Sequence, residues 1–564
     1  MQIGHTPSEA ERAGALRGAA SSFTLVRRAL LIGSWSAFIA FGIVLSLGNG
    51  LSWDEWQEAL TLRMNSRAVA GLLASNPEPY ERLEEYQDRY YGIGFHLLAL
   101  PMQKLLAPFY RSIARVDSYG AFLLAKHMAV FALFALSCLA FFALAGLLID
   151  DAHVRHLATL LYATCPYLLG HGTMNVKDAP FMVAWLLCTA VSSSLMVRVI
   201  RSRTVPLGSL LLLVAAFAWL VSIRIIGVLL LIQLGTGLVT SLFLVGTSRR
   251  QLLRRIIPAA LAFLFMTALL ALMTYPIFWK DPSRVSDAIR YMATHFNPAN
   301  TRVFGILMPA QDLPPTYIPL WAAAKLPVVV LIGLLVMPIA LVRMSGDRGR
   351  FAVLLALSAT VVLIPLVLVI GNAVLYDELR QLLFLFPLAF LAGLTSIHRL
   401  LPRTAIVLSW ATLALFIIDN VRLYPYQYTW LNEVVRFAQI DERFETDYWG
   451  TSGRALARSI NERSSSQATE QAAPLRLVLD RVVDRDQAIL APRHLVVPFF
   501  DAAATDRLAR GDEEPLPPAT RPYFGISFGV PVHMPADCRE MSRVTRKLSF
   551  ATSSITMGVS YECR

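Results

Sequence analysis

Residues 29–57 read ALLIGSWSAFIAFGIVLSLG, then NGL, then SWDEWQ: an unbroken apolar run from Ala29 to Gly48, followed by a boundary where Asp54 and Glu55 stand side by side between Trp53 and Trp56. Roughly 20 apolar residues is the length a helix needs to cross a hydrocarbon core of about 30 Å. Carboxylates are costly to bury in hydrocarbon, so an acidic pair just past a span belongs to a site that faces water from the rim of the bilayer. The run is too long for the core of a cleaved leader and lacks a small-residue cleavage pattern, so it reads as a retained signal anchor.

Working outward, the same pattern recurs along the whole chain. Of its 564 residues 55% are hydrophobic and only 16% charged, and the mean hydropathy is +0.53. That balance excludes an ordinary soluble globular protein. The expectation is an all-α polytopic membrane protein of about eleven spans, near 29–48, 120–149, 156–170, 179–197, 206–222, 225–246, 257–277, 317–342, 351–372, 381–397 and 404–420. Arg12, Arg17, Arg27 and Arg28 precede the first span; Arg198, Arg201, Arg203, Arg249, Arg250, Arg254, Arg255, Arg343, Arg348, Arg350, Arg399 and Arg403 fall at alternate boundaries. Cytoplasmic loops collect Lys and Arg, which puts the N-terminus inside and, with an odd span count, the C-terminus outside. The net charge of +12 largely reflects this loop bias; it fits anionic lipid headgroups, and no interleaved aromatic and basic platform for nucleic acid is present.

Three regions follow: a cytoplasmic tail over 1–28, a transmembrane domain over 29–424 with outer loops 49–119 and 278–316, and an extracytoplasmic region over 425–564. The apolar stretch Ile93–Ile113 is interrupted by Pro101, Lys104 and Pro108 and suits an interfacial helix better than a span. Beyond Tyr424 the chain reads as a small soluble α/β region, with a helix-like run over 453–463, strand-like runs over 475–479, 495–500 and 523–530, and connecting segments over 464–473 and 511–522. Cys138, Cys165 and Cys188 lie in or beside spans, where they pack as small apolar residues; Cys538 and Cys563 fall on the outer side and make a candidate disulfide.

The polar residues gather at outer boundaries. His171, Asn175, Lys177 and Asp178 crowd the start of the fourth span, where Asp178 before Pro180 also suits a helix N-cap. Lys177 and His171 suit an anionic phosphate, and Asp178 a sugar hydroxyl, a cation or a base role. Arg224 interrupts an apolar stretch, where a charge is functional by default and snorkelling to headgroups is the rival. Tyr376, Asp377, Glu378 and Arg380 form a short outer turn in which Arg380 could bind phosphate oxygens in two-pronged fashion or simply pair with its acidic neighbours. Tyr91, Asn175, Tyr376 and Asp377 are candidates for substrate contacts. The second outer loop adds His295, Asn297, Arg302 and Lys325.

The order of these motifs resembles the C-type membrane glycosyltransferases. It comprises an Asp-Glu pair after the first span, Lys-Asp-x-Pro at 177–180, Leu-Pro-x-x-Tyr at 313–317, the acidic-aromatic-Arg turn, Pro-Tyr-x-Tyr-x-x-x-Asn at 425–432, and a Phe-Glu-Thr-Asp-Tyr-Trp-Gly run at 444–450. It is most similar to the protein-mannosyltransferase-like family, glycosyltransferase family 39, including its bacterial members, from about residue 29 to about 460. The resemblance implies the C-type fold and an enzyme that takes sugar from a polyprenyl-phosphate donor on the outer face. It implies Asp54 as general base for the acceptor hydroxyl, with Glu55 positioning the acceptor or tuning Asp54; Trp56 and Gln57 depart from many relatives, so the acceptor pocket differs. It also implies that a divalent cation is not required, although the acids here could hold one.

The physical logic points the same way. Inverting sugar transfer needs a carboxylate to take the proton of the attacking hydroxyl and positive groups to stabilise the departing phosphate. Asp54 is the base candidate, Lys177, Arg224, Arg380 and His171 the phosphate candidates, and Asp178 a second essential acid. A retaining scheme needs two carboxyls about 5 Å apart across the bond, which adjacent helical residues such as Asp54 and Glu55 do not provide. A lipid flippase or transporter is the rival, and a non-catalytic membrane scaffold a third reading; the acceptor is a lipid, a glycan or a protein. Arg outnumbering Lys, with abundant Ala and Leu, is the composition of a high-GC bacterium and of its inner membrane.

Overall fold

The computed structural model describes residues 9–114, 118–245, 249–294, 300–456, 458–460, 477–480, 523–529, 534 and 536–563. The first apolar stretch is the second half of α1 (Glu9–Gly48), and the segment after it, expected as a loop, is itself helical: α2 (Trp53–Leu73), α3 (Glu78–Glu85) and α4 (Gly94–Ala114). α4 contains Pro101 and Pro108. It buries Phe95, His96 and Gln103 while turning Leu97, Leu98, Leu105 and Phe109 outward. α5 (Ser118–Leu124) and α6 (Lys126–Ala145) make the second span.

Two expected spans are broken helices. The stretch 156–170 is α7 (Ala152–Thr164) followed by α8 (Pro166–Met174). Pro166 has no N–H to continue the ladder, and its ring disfavours helical backbone in the residue before it. After α9 (Asp178–Ser202) and α10 (Leu207–Ile223), Arg224 is extended, and a 3-10 turn at Ile225–Leu229 leads into α11 (Leu230–Val245). α12 (Arg249–Thr274) follows; the segment 278–316 holds α13 (Val285–Thr294) and a hairpin of β1 (Asn300–Val303) and β2 (Ile306–Pro309). His295 and Asn297 lie outside the described residues. The stretch 317–342 is divided into α14 (Tyr317–Lys325), α15 (Val328–Leu335) and α16 (Met337–Met344), with Pro327 and Pro338 at the breaks. The bundle closes with α17 (Arg348–Ile370), a 3-10 turn at Arg380–Leu385 running into α18 (Phe386–Leu400), and α19 (Pro402–Leu423).

Among the described residues eight helical stretches are long and apolar enough to cross a membrane: Ala29–Gly48, Ser118–Ala145, Asp178–Ser202, Ile225–Val245, Ile256–Thr274, Arg348–Ile370, Arg380–Leu400 and Pro402–Leu423. α10 is apolar but shorter, and with the two broken helices it accounts for the difference from eleven. The two ends of the bundle differ in charge. α9 carries Asp178 at its start and Arg201 in its last turn. At this second end Arg201 lies beside Gly349, Arg350 pairs with Asp150 at 2.5 Å, and Arg348 donates to the Leu244 carbonyl at 3.3 Å. α15 and α18 cross so closely that a Cβ on Gly333 or Gly393 would overlap the other helix's backbone.

After the short α20 (Ile440–Arg443), a sheet forms from β3 (Leu477–Asp480), β4 (Tyr523–Phe528), β5 (Arg539–Arg546) and β6 (Ile555–Cys563) in the order β3-β4-β6-β5. β3 and β4 are parallel; the other pairs are antiparallel. β3 and β4 fall on two of the expected strand runs; β5 is rich in charged residues and shows no clear alternation, whereas β6 alternates buried Ile555, Met557, Val559 and Tyr561 with Thr556, Gly558, Ser560 and Glu562, a period-two strand signal that the sequence reading passed over. Residues 453–456 and 458–460 are helical as expected; 464–473, 495–500 and 511–522 lie outside the described residues. Cys538 is disulfide-bonded, in keeping with the candidate pair, and the Cys563 side chain lies outside the described residues.

Candidate functional site

The capping of α2 separates its two acids. Glu55 reaches back to accept from the Ser52 backbone N–H at 2.8 Å, one arm of a capping box, and its Oε1 also lies 3.0 Å from His127 Nε2. It is fully buried. Asp54, one residue earlier, points the other way: its side chain is 26% exposed, and Oδ2 meets Arg380 Nη1 at 3.2 Å. Glu55, expected beside the reacting groups, is instead a buried capping residue, because neighbouring helical side chains diverge by about 100°.

Asp178 is not the N-cap. Lys177 holds that position, and Asn175 Oδ1 accepts the backbone N–H groups of Lys177 at 3.0 Å and Asp178 at 2.7 Å. The Asp178 carboxylate is thereby free to bridge two arginines: Oδ1 lies 2.6 Å from Arg224 Nη1 and Oδ2 3.3 Å from Arg380 Nη1. Arg224 reaches it from the extended break between α10 and the following turn, so the interruption of that apolar stretch is what delivers the guanidinium.

Arg380 sits at the centre. In the turn before it, Asp377 and Glu378 both adopt left-handed backbone, φ 54° and 64°, a conformation that costs of order 1–3 kcal/mol per non-glycine residue. The reversal turns Asp377 onto Arg380, with Oδ2 3.0 Å from Nη2 and 3.1 Å from Nε, and turns Glu378 into the bundle, 2.8 Å from Lys325 Nζ. Arg380 pairs locally with Asp377, as one reading of the turn expects, and also reaches Asp54 and Asp178. Its guanidinium lies over the Tyr376 ring at 4.9 Å and the Trp449 ring at 5.4 Å.

Lys177 lines the same region but is held by residues that the motif reading passed over. Its Nζ pairs with Glu58 Oε1 at 2.7 Å and stands 3.7 Å from the centre of the Tyr91 ring. Glu58 Oε2 faces His96 Nε2 at 2.8 Å, and His96 Nδ1 faces Lys126 Nζ at 3.4 Å. Burial would raise the Glu58 carboxyl, but Lys177 and His96 outweigh it and hold the pKa well below its ordinary value. Burial likewise would lower the Lys177 amine, and Glu58 holds it above its ordinary value. Asp88, a hydrogen-bond partner of Gln57, is raised by burial against the opposing pull of Lys177. Two signals for Glu58 and Lys126 exist in the sequence: Glu58 is one turn after Asp54 on the same helix face, and Lys126-His127 interrupts an otherwise apolar span.

His171 does not join the cations. It is buried against the rings of Tyr167 and Trp449, and its Nδ1 lies 2.9 Å from Asn175 Nδ2. The Asn175 amide is oriented by its two backbone donors, so Nδ2 donates and His171 Nδ1 must accept, which makes the ring the neutral Nε2–H form. In place of the phosphate contact expected of it, His171 supports Asn175, whose Nδ2 also donates to Asp178 Oδ2 at 3.1 Å.

Asp54, Asp178, Asp377 and Glu58 thus face Arg224, Arg380 and Lys177, four carboxylates against three cations, with Tyr91, Tyr376 and Trp449 as aromatic walls. Among the described residues no three His, Cys, Asp or Glu side chains gather as metal ligands. Compared with family models and with curated proteins, the chain matches none.

Proposed function

We propose that this protein is a C-type membrane glycosyltransferase that moves a sugar from a polyprenyl-phosphate donor to an acceptor hydroxyl, with inversion, on the outer face of a bacterial inner membrane. The reading rests on one observation: Asp54, Asp178, Arg224 and Arg380, separated by up to 326 residues in the chain, meet through contacts of 2.6–3.3 Å at one end of the apolar bundle. The arginine-rich loops at the opposite end support the outward orientation of the site, and the acidic, aromatic and cationic motifs support a protein-mannosyltransferase-like member.

In this mechanism Arg380 and Arg224 receive the donor phosphate, with Lys177 beside them. Three carboxylates already share Arg380, so an arriving phosphate displaces one of them. Asp54 is the one that exchanges most easily: it is the most exposed of the three and touches Arg380 through one nitrogen, whereas Asp377 is held by two nitrogens and Asp178 is also tied to Arg224. Donor binding therefore releases the base. Asp54 then takes the acceptor O–H proton, the acceptor oxygen bonds to the anomeric carbon, and the bond from that carbon to the phosphate oxygen breaks with its electron pair on the lipid phosphate, which the arginines stabilise. Tyr91 and Tyr376 offer faces for the sugar ring.

The test is to incubate purified protein with radiolabelled polyprenyl-phosphate sugars and a membrane extract, and to ask which label moves and where. Label appearing on a lipid, glycan or protein acceptor supports the reading. Intact donor crossing a sealed vesicle with no glycosidic bond broken replaces it with transport.

A further inference from the structure

The C-terminal sheet, soluble by its sequence, is bolted to the last membrane span at a depth inside that span. Ser549, in the turn between β5 and β6, donates its backbone N–H to Asp419 Oδ1 at 2.9 Å and also its hydroxyl to the same oxygen. Asp419 lies in the last turns of α19, four residues before its end at Leu423, or about 6 Å along the axis. Arg436 locks the junction, with Nη2 3.1 Å from Asp419 Oδ2 and Nη1 donating to the Ser549 carbonyl at 2.9 Å.

The residue after Ser549 is Phe550, 72% exposed and in left-handed backbone, φ 59°, a strained conformation for an aromatic residue. Its neighbours Leu548, Ser549 and Ala551 are buried. The strand-side segment runs along 436–438, where Thr552 Oγ1 donates to the Phe437 carbonyl at 3.2 Å. Phe437 and Val434 are 61% and 63% exposed, and Val421 in the last turn of α19 is 67% exposed. Lys547, also exposed, precedes the turn. Beside the end of a membrane span, an exposed apolar group outside the bundle meets lipid, and an aromatic tip flanked by a cation is the composition of a residue seated at the headgroup boundary.

We infer that the turn Leu548–Ala551 is a membrane-interface anchor: Phe550, with Phe437 and Val434, inserts at the boundary between phospholipid headgroups and acyl chains, and Lys547 takes headgroup phosphates. The anchor ties the outer sheet to the bilayer surface, and it rests on the membrane character of the bundle and not on the transferase reading.

The full-length protein carrying a nitroxide at Phe550→Cys, or separately at Phe437→Cys, is reconstituted in phospholipid nanodiscs and in liposomes, with Arg543→Cys on exposed β5 as the aqueous reference. The native free cysteines, Cys138, Cys165 and Cys188, are buried, and the unsubstituted protein supplies the background. The expected result is a several-fold higher ratio of oxygen to nickel-chelate collisions at 550 and 437 than at 543. A ratio at both positions equal to that at 543 overturns the anchor. Labels shielded from both reagents in liposomes but open to nickel in single-copy nanodiscs overturn it in favour of a second copy of the chain covering the patch. Two positions keep the test decisive if one variant fails to fold.

Discussion

Replacing Asp54 by Asn should abolish sugar transfer and, at the same time, tighten binding of the lipid phosphate. The two effects have separate sources. Removing a general base costs about 10²–10⁴-fold in rate. Binding improves because Arg380 loses a competitor: at the 3.2 Å contact with Asp54, two unit charges interact by about 1.3 kcal/mol in water and about 5 kcal/mol at an effective dielectric of 20. Asp54 is 26% exposed and shares the guanidinium with Asp178 and Asp377, so the lower figure governs, and Asn still accepts one neutral hydrogen bond. A gain of about 1 kcal/mol, or about fivefold in dissociation constant, is the expectation. Isothermal titration of purified wild type and variant with polyprenyl phosphate in detergent, alongside transfer of labelled sugar, reads both. Transfer at the wild-type rate removes Asp54 from the base role; equal or weaker binding by the variant refutes the exchange at Arg380, while no binding by either protein refutes the phosphate site itself.

Asp178→Asn leaves two buried arginines short of a carboxylate and should lower stability by about 3 kcal/mol or more; its thermal midpoint in detergent should fall well below that of Asp54→Asn, and equal midpoints would contradict the bridging role. Glu58→Gln releases Lys177 toward Asp54, so the acid limb of the pH–rate profile should move to lower pH; an unmoved limb means that Glu58 does not govern the site's charge. Glu378 is pushed up to about 7 by burial, against the pull of Lys325. A carboxyl with a raised native pKa contributes its stability in the protonated form, fully below the ordinary carboxylate range and progressively less as pH rises to about 7, by about 1.4 kcal/mol per pH unit. Glu378→Gln stays neutral throughout, so the stability of wild type relative to this variant should decline between pH 5 and pH 7 and level off above; a constant difference contradicts the assignment.

Much of the site is legible because charge in an apolar chain is conspicuous. Asp54, Asp178, Arg224 and Arg380 stand out as the polar residues at span boundaries, and their meeting point is where boundary charges on one side of a bundle must converge. Glu55 and His171 are equally conspicuous yet lie elsewhere, since adjacency in sequence does not tell which way a side chain leaves a helix: Glu55 is taken by its own N-terminus and by His127, His171 by Asn175. Glu58 and Lys126 are less visible, because each matters only through a partner, Lys177 or His96, supplied by another element.

The amino-acid order alone marks the long apolar segments of membrane-spanning length and which of their ends carry arginine, because these follow from apolar length and charge and need no contact between distant residues. It does not determine that the two prolines at 166 and 327 break spans where others continue, that Asp54 and Glu55 part company, or that the last sheet is fastened to Asp419. Those outcomes depend on which group is closest once the chain is packed. A hydrogen bond or ion pair changes its energy over fractions of an ångström, and only the assembled bundle sets distances on that scale.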